Sequence, residues 1–127
     1  MDPTSKALFW KYLDRLVADH ALIIDRRKGW THPRYTDLIY PLDYGYLEGT
    51  TSIDQGGIDV WVGKVGCPND SASSSKVISA VILTVDLVKN DAEIKIALNC
   101  DEEDVQTILA FHNGNKMGAV VVRRPIG

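Results

Sequence analysis

A chain of 127 residues, 45% hydrophobic and 24% charged, has the size and composition of one ordinary globular domain with enough apolar material for a real core. Fourteen basic side chains against 17 acidic ones leave a formal charge of −3, which speaks against a dedicated nucleic-acid binder with its basic face. No apolar run approaches the roughly 20 residues of a membrane span, and the opening MDPTSKALFW lacks a charged region followed by an apolar core, so the expectation is a cytoplasmic protein without signal peptide or membrane contact.

The first segment reads as a helix. Leu8, Phe9, Tyr12, Leu13, Leu16 and Val17 recur at three- and four-residue spacing as one apolar stripe. Asp2 can cap it, Pro3 suits its first position, and it should fade near Asp19 or His20. Residues 21–25 are β-prone, and Arg26-Arg27-Lys28-Gly29 reads as a basic turn. A loop comes next over 31–37, where Pro33 restricts His32. The stretch 38–47 is aromatic and extended, and Gly49 breaks it.

Over 58–62, Ile58, Val60 and Val62 alternate with Asp59 and Trp61, as in a half-buried strand. The Ser-rich segment 66–75 reads as a surface loop. Residues 76–88 suit one long or bent strand, Asn90-Asp91 a turn, and 93–98 another alternating strand. Asp101 can cap a second helix whose acidic first turn suits the helix dipole. Val105, Ile108, Leu109 and His112 share one face of that helix, and Gly114 stops it. Residues 117–123 form a last strand. Cys67 and Cys100 lie far apart and read as unpaired structural thiols; His20, His32 and His112 have no metal spacing and read as structural.

One stretch goes further. Residues 40–60 read YPLDYGYLEGTTSIDQGGIDV. This resembles the signature region of the soluble family I inorganic pyrophosphatases, with its Tyr-Pro-x-Asn-Tyr-Gly-Tyr segment, a subsequent Thr, and an Asp-x-Asp-x-x-Asp loop entering a strand. Tyr40, Pro41, Tyr44, Gly45, Tyr46, Thr50, Asp54 and Asp59 fall at matching offsets. Upstream, LIIDRRKGWTHPRY is similar to the short bacterial members. Downstream, TVDLVKNDAEIKIAL resembles the family's second acidic segment, where two carboxylates precede a lysine that enters a strand. The front helix is not expected from the family.

The resemblance implies a Mg²⁺-dependent hydrolase that splits pyrophosphate or a related phosphoanhydride. By it, Asp54, Asp59, Asp86 and Glu93 match metal-binding carboxylates, with Asp91 the competing candidate for Glu93's place. Tyr44, Arg34 and Lys95 match the phosphate-binding groups, and with Asp59 they make up the expected catalytic set. The residue types suit that chemistry. Mg²⁺ takes oxygen ligands and acidifies its water, and Lys, Arg and Tyr hold phosphate oxygens. Asp54 and Asp59 stand across a Gly-Gly turn, a loop able to aim both side chains at one ion. The expected partners are a small-molecule substrate and further copies of the chain, with no nucleic acid. The expected fold is a single domain over 1–127, mainly β (α+β): a small five- to seven-stranded OB-like antiparallel barrel with an N-terminal helix and a late C-terminal helix.

The departures carry as much weight. Gly56 stands where the family has the aspartate credited with activating the attacking water. Asp43 replaces the asparagine before Tyr-Gly-Tyr, and apolar residues around Ala21 and Ile24 replace an early Glu and Lys. Phe111-His112-Asn113 takes the place of a Tyr-Lys pair on the late helix. Loss of a general base typically costs about 10²–10⁴-fold in rate. The expectation is therefore weakened or altered turnover, with Asp43 a candidate stand-in base. The alternative is a catalytically silent relative that binds phosphate, nucleotide or protein.

Overall fold

Six strands and two helices absorb the apolar periodicities of the chain in a computed structural model that describes residues 3–52, 55–64 and 76–125. In chain order they are α1 (Pro3–Ala18), β1 (Leu22–Arg26), β2 (Asp43–Leu47), β3 (Ile58–Val62), β4 (Ile78–Asp86), β5 (Asp91–Leu98), α2 (Glu102–His112) and β6 (Met117–Arg123). The fold is α+β and mostly β. The expected cap Asp2, the Ser-rich loop with Cys67, and Asp54 lie outside the described residues. Among the described residues no helix is long and apolar enough to cross a membrane.

The strands form one sheet in the order β1-β2-β3-β5-β4-β6. Its ladders are antiparallel except between β3 and β5, which run parallel. This corrects the all-antiparallel expectation. The hairpin forms between β4 and β5, and β5 rather than β4 takes the place beside β3. The edge strands β1 and β6 share no ladder among the described residues.

Alternation along the strands divides the core between two faces. On one, Trp10, Leu13 and Val17 of α1 pack against Leu47, Val60, Val81, Ile96 and Leu98. On the other, Ile108 of α2 packs with Trp61, Ala80, Ile82, Ala97 and Tyr40. The buried stripe of α1 is rotated from the expected one, and Leu8, Phe9 and Tyr12 are exposed. Burial of the large Trp10 indole decides the rotation. Arg124 fixes it by lying 5.6 Å over that ring while pairing with Asp14 at 2.6 Å. At the other end of α1, the Lys76 ammonium donates to the carbonyls of Val17 and His20, which have no further helical turn to accept from. Helix α2 starts with a capping box: Asp101 accepts from the Asp104 N–H, and Asp104 accepts from the Asp101 N–H. Its acidic first turn is thus engaged in closing the helix.

Two bulges direct side chains. In β4 the register shifts between Ile78 and Ala80, so Ile78 joins the α1 face and Ala80 the α2 face. In β1 the shift between Ile24 and Arg26 sets Ile24 opposite Gly45 and Arg26 opposite Tyr44. Arg26 is thereby turned to the face that carries Tyr44. The extended run expected over 38–47 pairs as a strand only from Asp43. Before that, the Tyr40 backbone is bonded to Gly29 and Trp30, closing the 29–40 segment on itself, and Pro41 has no N–H to give a ladder.

Gly45 is required by close approach. A Cβ there would collide with the Ile23 carbonyl oxygen of the neighbouring strand. Gly45→Ala is expected to lower stability by at least about 2 kcal/mol through overpacking between β1 and β2. The check is the urea midpoint, with an unchanged m-value showing that the loss is one of stability alone. A midpoint equal to the wild type's would mean that the edge strand β1 is loosely held.

Candidate functional site

The α2 face of the sheet carries a cleft of about 710 Å³. Register explains who meets there. Tyr44 lies opposite Trp61, and Trp61 beside Ala97. Period-two alternation then puts Tyr44, Asp59, Glu93 and Lys95 on one side. All four line the cleft.

Lys95 is the centre of the group. It is 4% exposed, and each of its ammonium hydrogens has an acceptor. Nζ donates to Tyr44 Oη at 2.8 Å, to Asp59 Oδ2 at 2.9 Å and to Glu93 Oε2 at 2.9 Å. Burial works to lower the lysine pKa, but Tyr44 and the two carboxylates override it and hold the ammonium above its ordinary value. Burial pushes the Tyr44 phenol upward, with Asp59 adding to the effect. Two carboxylates against one ammonium leave the floor of the cleft acidic. The other oxygen of Glu93, Oε1, is buried without a hydrogen-bond partner, and the Lys89 ammonium lies 4.0 Å from it.

Further cations line the cleft. Arg26, turned in by the β1 bulge, donates to Tyr40 Oη at 2.6 Å. Burial opposes its charge, but the bond to Tyr40 and the nearby Tyr40, Asp25 and Tyr44 side chains together outweigh it and the guanidinium pKa rises. His32 Nδ1 accepts from the backbone N–H groups of Arg34 and Tyr35 at 3.0 and 3.2 Å, which shapes the loop that carries Arg34 into the lining. Burial lowers the His32 pKa, and Arg26 and Arg34 lower it further. His112 is buried and accepts the indole N–H of Trp61 at 3.0 Å. Burial, helped by the charge of Lys95, takes its pKa down to about 3, so the ring is neutral at pH 7.

The structure therefore brings Tyr44, Asp59, Glu93 and Lys95 into contact and sets Arg34 and Asp86 in the same lining. Asp86 is partly engaged elsewhere: its Oδ1 accepts from the N–H groups of Val88 and Lys89 and shapes the β4–β5 turn. Asp91 pairs with Lys89 at 3.6 Å, outside the lining, so Glu93 is the carboxylate that joins Lys95. Asp43 also lies outside the lining and ties the basic turn through the Lys28 N–H at 2.9 Å. Cys100 is a free thiol that burial pushes up to about 12. Sequence reasoning missed Arg26, His32 and His112 as cleft residues. Arg26 sat in a run that reads as a surface turn, and no local signal marks the bulge that redirects it.

Among the described residues no three His, Cys, Asp or Glu side chains converge as a ready-made metal cage. The donor set nevertheless fits Mg²⁺ as that ion is often held, by one or two carboxylates with water and substrate oxygens completing the shell. Asp59 and Glu93 are hard oxygen donors on the cleft wall, and Glu93 Oε1 is buried and unsatisfied.

Removing the ammonium leaves two carboxylates facing each other's charge. Lys95→Met is expected to cost about 3 kcal/mol at pH 7. The urea midpoint checks this; a midpoint equal to the wild type's would show that the two carboxylates do not depend on the ammonium. His112 gives a pH dependence. Its folded pKa lies below the ordinary 6.5, so below that value the unfolded chain binds a proton that the folded chain does not. Stability should fall as pH drops from 6.5 toward 3, by up to about 1.4 kcal/mol per unit from this group. His112→Gln should flatten the slope measured between pH 7 and pH 4; an unchanged slope would place the dependence in the carboxylates.

In comparisons with known proteins, no family model, no curated protein and no solved structure matches this chain.

Proposed function

We propose that the cleft takes a phosphoanhydride such as pyrophosphate, and that the chain is a Mg²⁺-dependent hydrolase of the pyrophosphatase type with weakened turnover. The observation that carries the reading is the buried Lys95 ammonium, gripped by Tyr44, Asp59 and Glu93 in a cleft also lined by Arg26 and Arg34. Charged phosphate oxygens need cations and phenolic donors on one side and cation-holding carboxylates on the other, and this cleft supplies both. The proposal takes the six strands as a curled, OB-like barrel left open between β1 and β6. It keeps the cytoplasmic address and the self-association expected from the sequence.

In this reading Asp59 and Glu93 hold Mg²⁺, with Asp86 a further carboxylate of the same lining. Bound Mg²⁺ would neutralise phosphate oxygens and acidify a water. The protein's own groups bind and orient. Lys95 fixes Asp59 and Glu93 in place and offsets part of their negative charge. Tyr44 is kept a neutral phenol by burial, so its hydroxyl retains a proton for hydrogen bonding. Arg34 and Arg26 draw the phosphate oxygens to the opposite wall. Gly56 brings no side chain to act as a base. Asp43, held by the Lys28 N–H away from the cleft, is poorly set to replace one.

Two observations favour the runner-up, a catalytically silent relative that only binds. The position of the family's base is a glycine, and all three ammonium hydrogens of Lys95 are already donated to protein groups. Phosphate release from pyrophosphate decides between them. The proposal expects slow turnover that needs Mg²⁺, falls at least about 100-fold in Asp59→Asn, and rises at least about 10-fold in Gly56→Asp, within the usual range for a general base. Turnover that ignores both Mg²⁺ and Asp59 would overturn it. Pyrophosphate binding without turnover, in the wild type and in Gly56→Asp alike, would establish the silent form.

A further inference from the structure

We infer that the phosphoanhydride this cleft takes carries a nucleobase: a nucleoside di- or triphosphate, with its phosphates on the charged floor and its base on an aromatic rim. The inference rests on the phosphoanhydride reading above and narrows its substrate class.

The cleft's size is the first argument. About 710 Å³ lies within the range of pockets that enclose whole organic ligands. Pyrophosphate, two phosphoryl groups sharing an oxygen, leaves most of it empty. The lining is the second. Beside its charged residues the cleft is lined by Pro33, Tyr35, Leu38, Phe111 and Met117, none of which carries a charge. The faces of aromatic rings are electronegative and repel phosphate oxygens. A wall of this kind is useless to an inorganic anion and well suited to a flat base, because every base presents a π-face to stack.

The rings are also ordered among themselves. Tyr35 and His32 have centroids 5.2 Å apart, His32 stacks on Tyr40 at 5.9 Å with planes 6° apart, and Tyr40 lies 5.1 Å from Phe111. The inner members are held by the core, since Tyr40 is buried and bonded to Arg26. Tyr35 is the outer member and 37% exposed.

The rim is built in advance of any ligand. The imidazole of His32 accepts the backbone N–H groups of both Arg34 and Tyr35. The loop is closed beneath them by His32 N–H to Leu38 O and by Leu38 N–H to Tyr35 O. Holding an exposed aromatic ring in one place lowers the ordering cost of stacking a base on it. Arg34, next in the chain, lines the same cleft.

Isothermal titration of the whole chain tests this, with ADP, GDP and pyrophosphate each presented with Mg²⁺, and adenosine as the ligand without phosphate. Base stacking predicts that ADP and GDP bind roughly 10- to 100-fold more tightly than pyrophosphate. Adenosine should bind far more weakly than ADP. Tyr35→Ala should narrow the ratio of ADP to pyrophosphate affinity toward one, and Tyr35→Phe, which keeps the ring, should preserve it. Pyrophosphate binding as tightly as ADP would overturn the nucleotide inference and leave the phosphoanhydride reading standing. Binding of neither would overturn both. A ratio unchanged in Tyr35→Ala would remove the rim from recognition and with it the inference.

Discussion

An ammonium group buried in a sheet has three hydrogens to place and no water to place them on. Lys95 satisfies that demand with one acceptor from each of three strands: Tyr44 on β2, Asp59 on β3 and Glu93 on its own β5. The constraint runs in both directions. Two carboxylates at the floor of a cleft repel each other, and the ammonium between them offsets that repulsion. The parallel contact of β3 with β5 serves the same end, because it places Asp59 and Lys95 on one face. A strictly antiparallel meander, pairing β3 with β4, would have put Ile82 or Thr84 where Lys95 now stands.

The surroundings of this cluster are arranged around its charge. Trp61 and Phe111 pack edge to face beside it, and His112, which could bring a second positive charge near Lys95, is held neutral by burial and by the indole N–H that it accepts. Arg26 supplies the cation on the far wall. It reaches the cleft because one extra residue in β1 reverses the side on which its chain emerges. The 29–40 segment closes over this wall through its own backbone bonds and through His32, so the loop that brings Arg34 and Tyr35 to the cleft is itself ordered.

Much of the scaffold could be read directly. Strands β3 and β6 occupy the expected 58–62 and 117–123, where β-branched and aromatic residues cluster. Asp101 caps α2 as a short carboxylate before an apolar period should. The Tyr-Gly-Tyr segment marked the site, and its glycine has a local cause in the close passage of the Ile23 carbonyl. Less legible were the rotation of α1, set by a tryptophan whose partner Arg124 stands at the far end of the chain, and the start of β2, set by hydrogen bonds between Tyr40 and Gly29.

Periodicity, caps and turn residues are short-range properties, and through them the sequence by itself determined the kinds of the elements and most of their places. It also singled out Tyr44, Asp59, Glu93 and Lys95 as candidates, through a resemblance of local motifs. The tertiary structure alone decided which of those side chains meet. Glu93 rather than Asp91 joins Lys95, Asp43 is left outside, and Arg26 and His112 are brought in. Those outcomes depend on strand order, on register and on two single-residue bulges. Each is a long-range choice made by the packing of the whole sheet, and a shift of one residue sends a side chain to the opposite face.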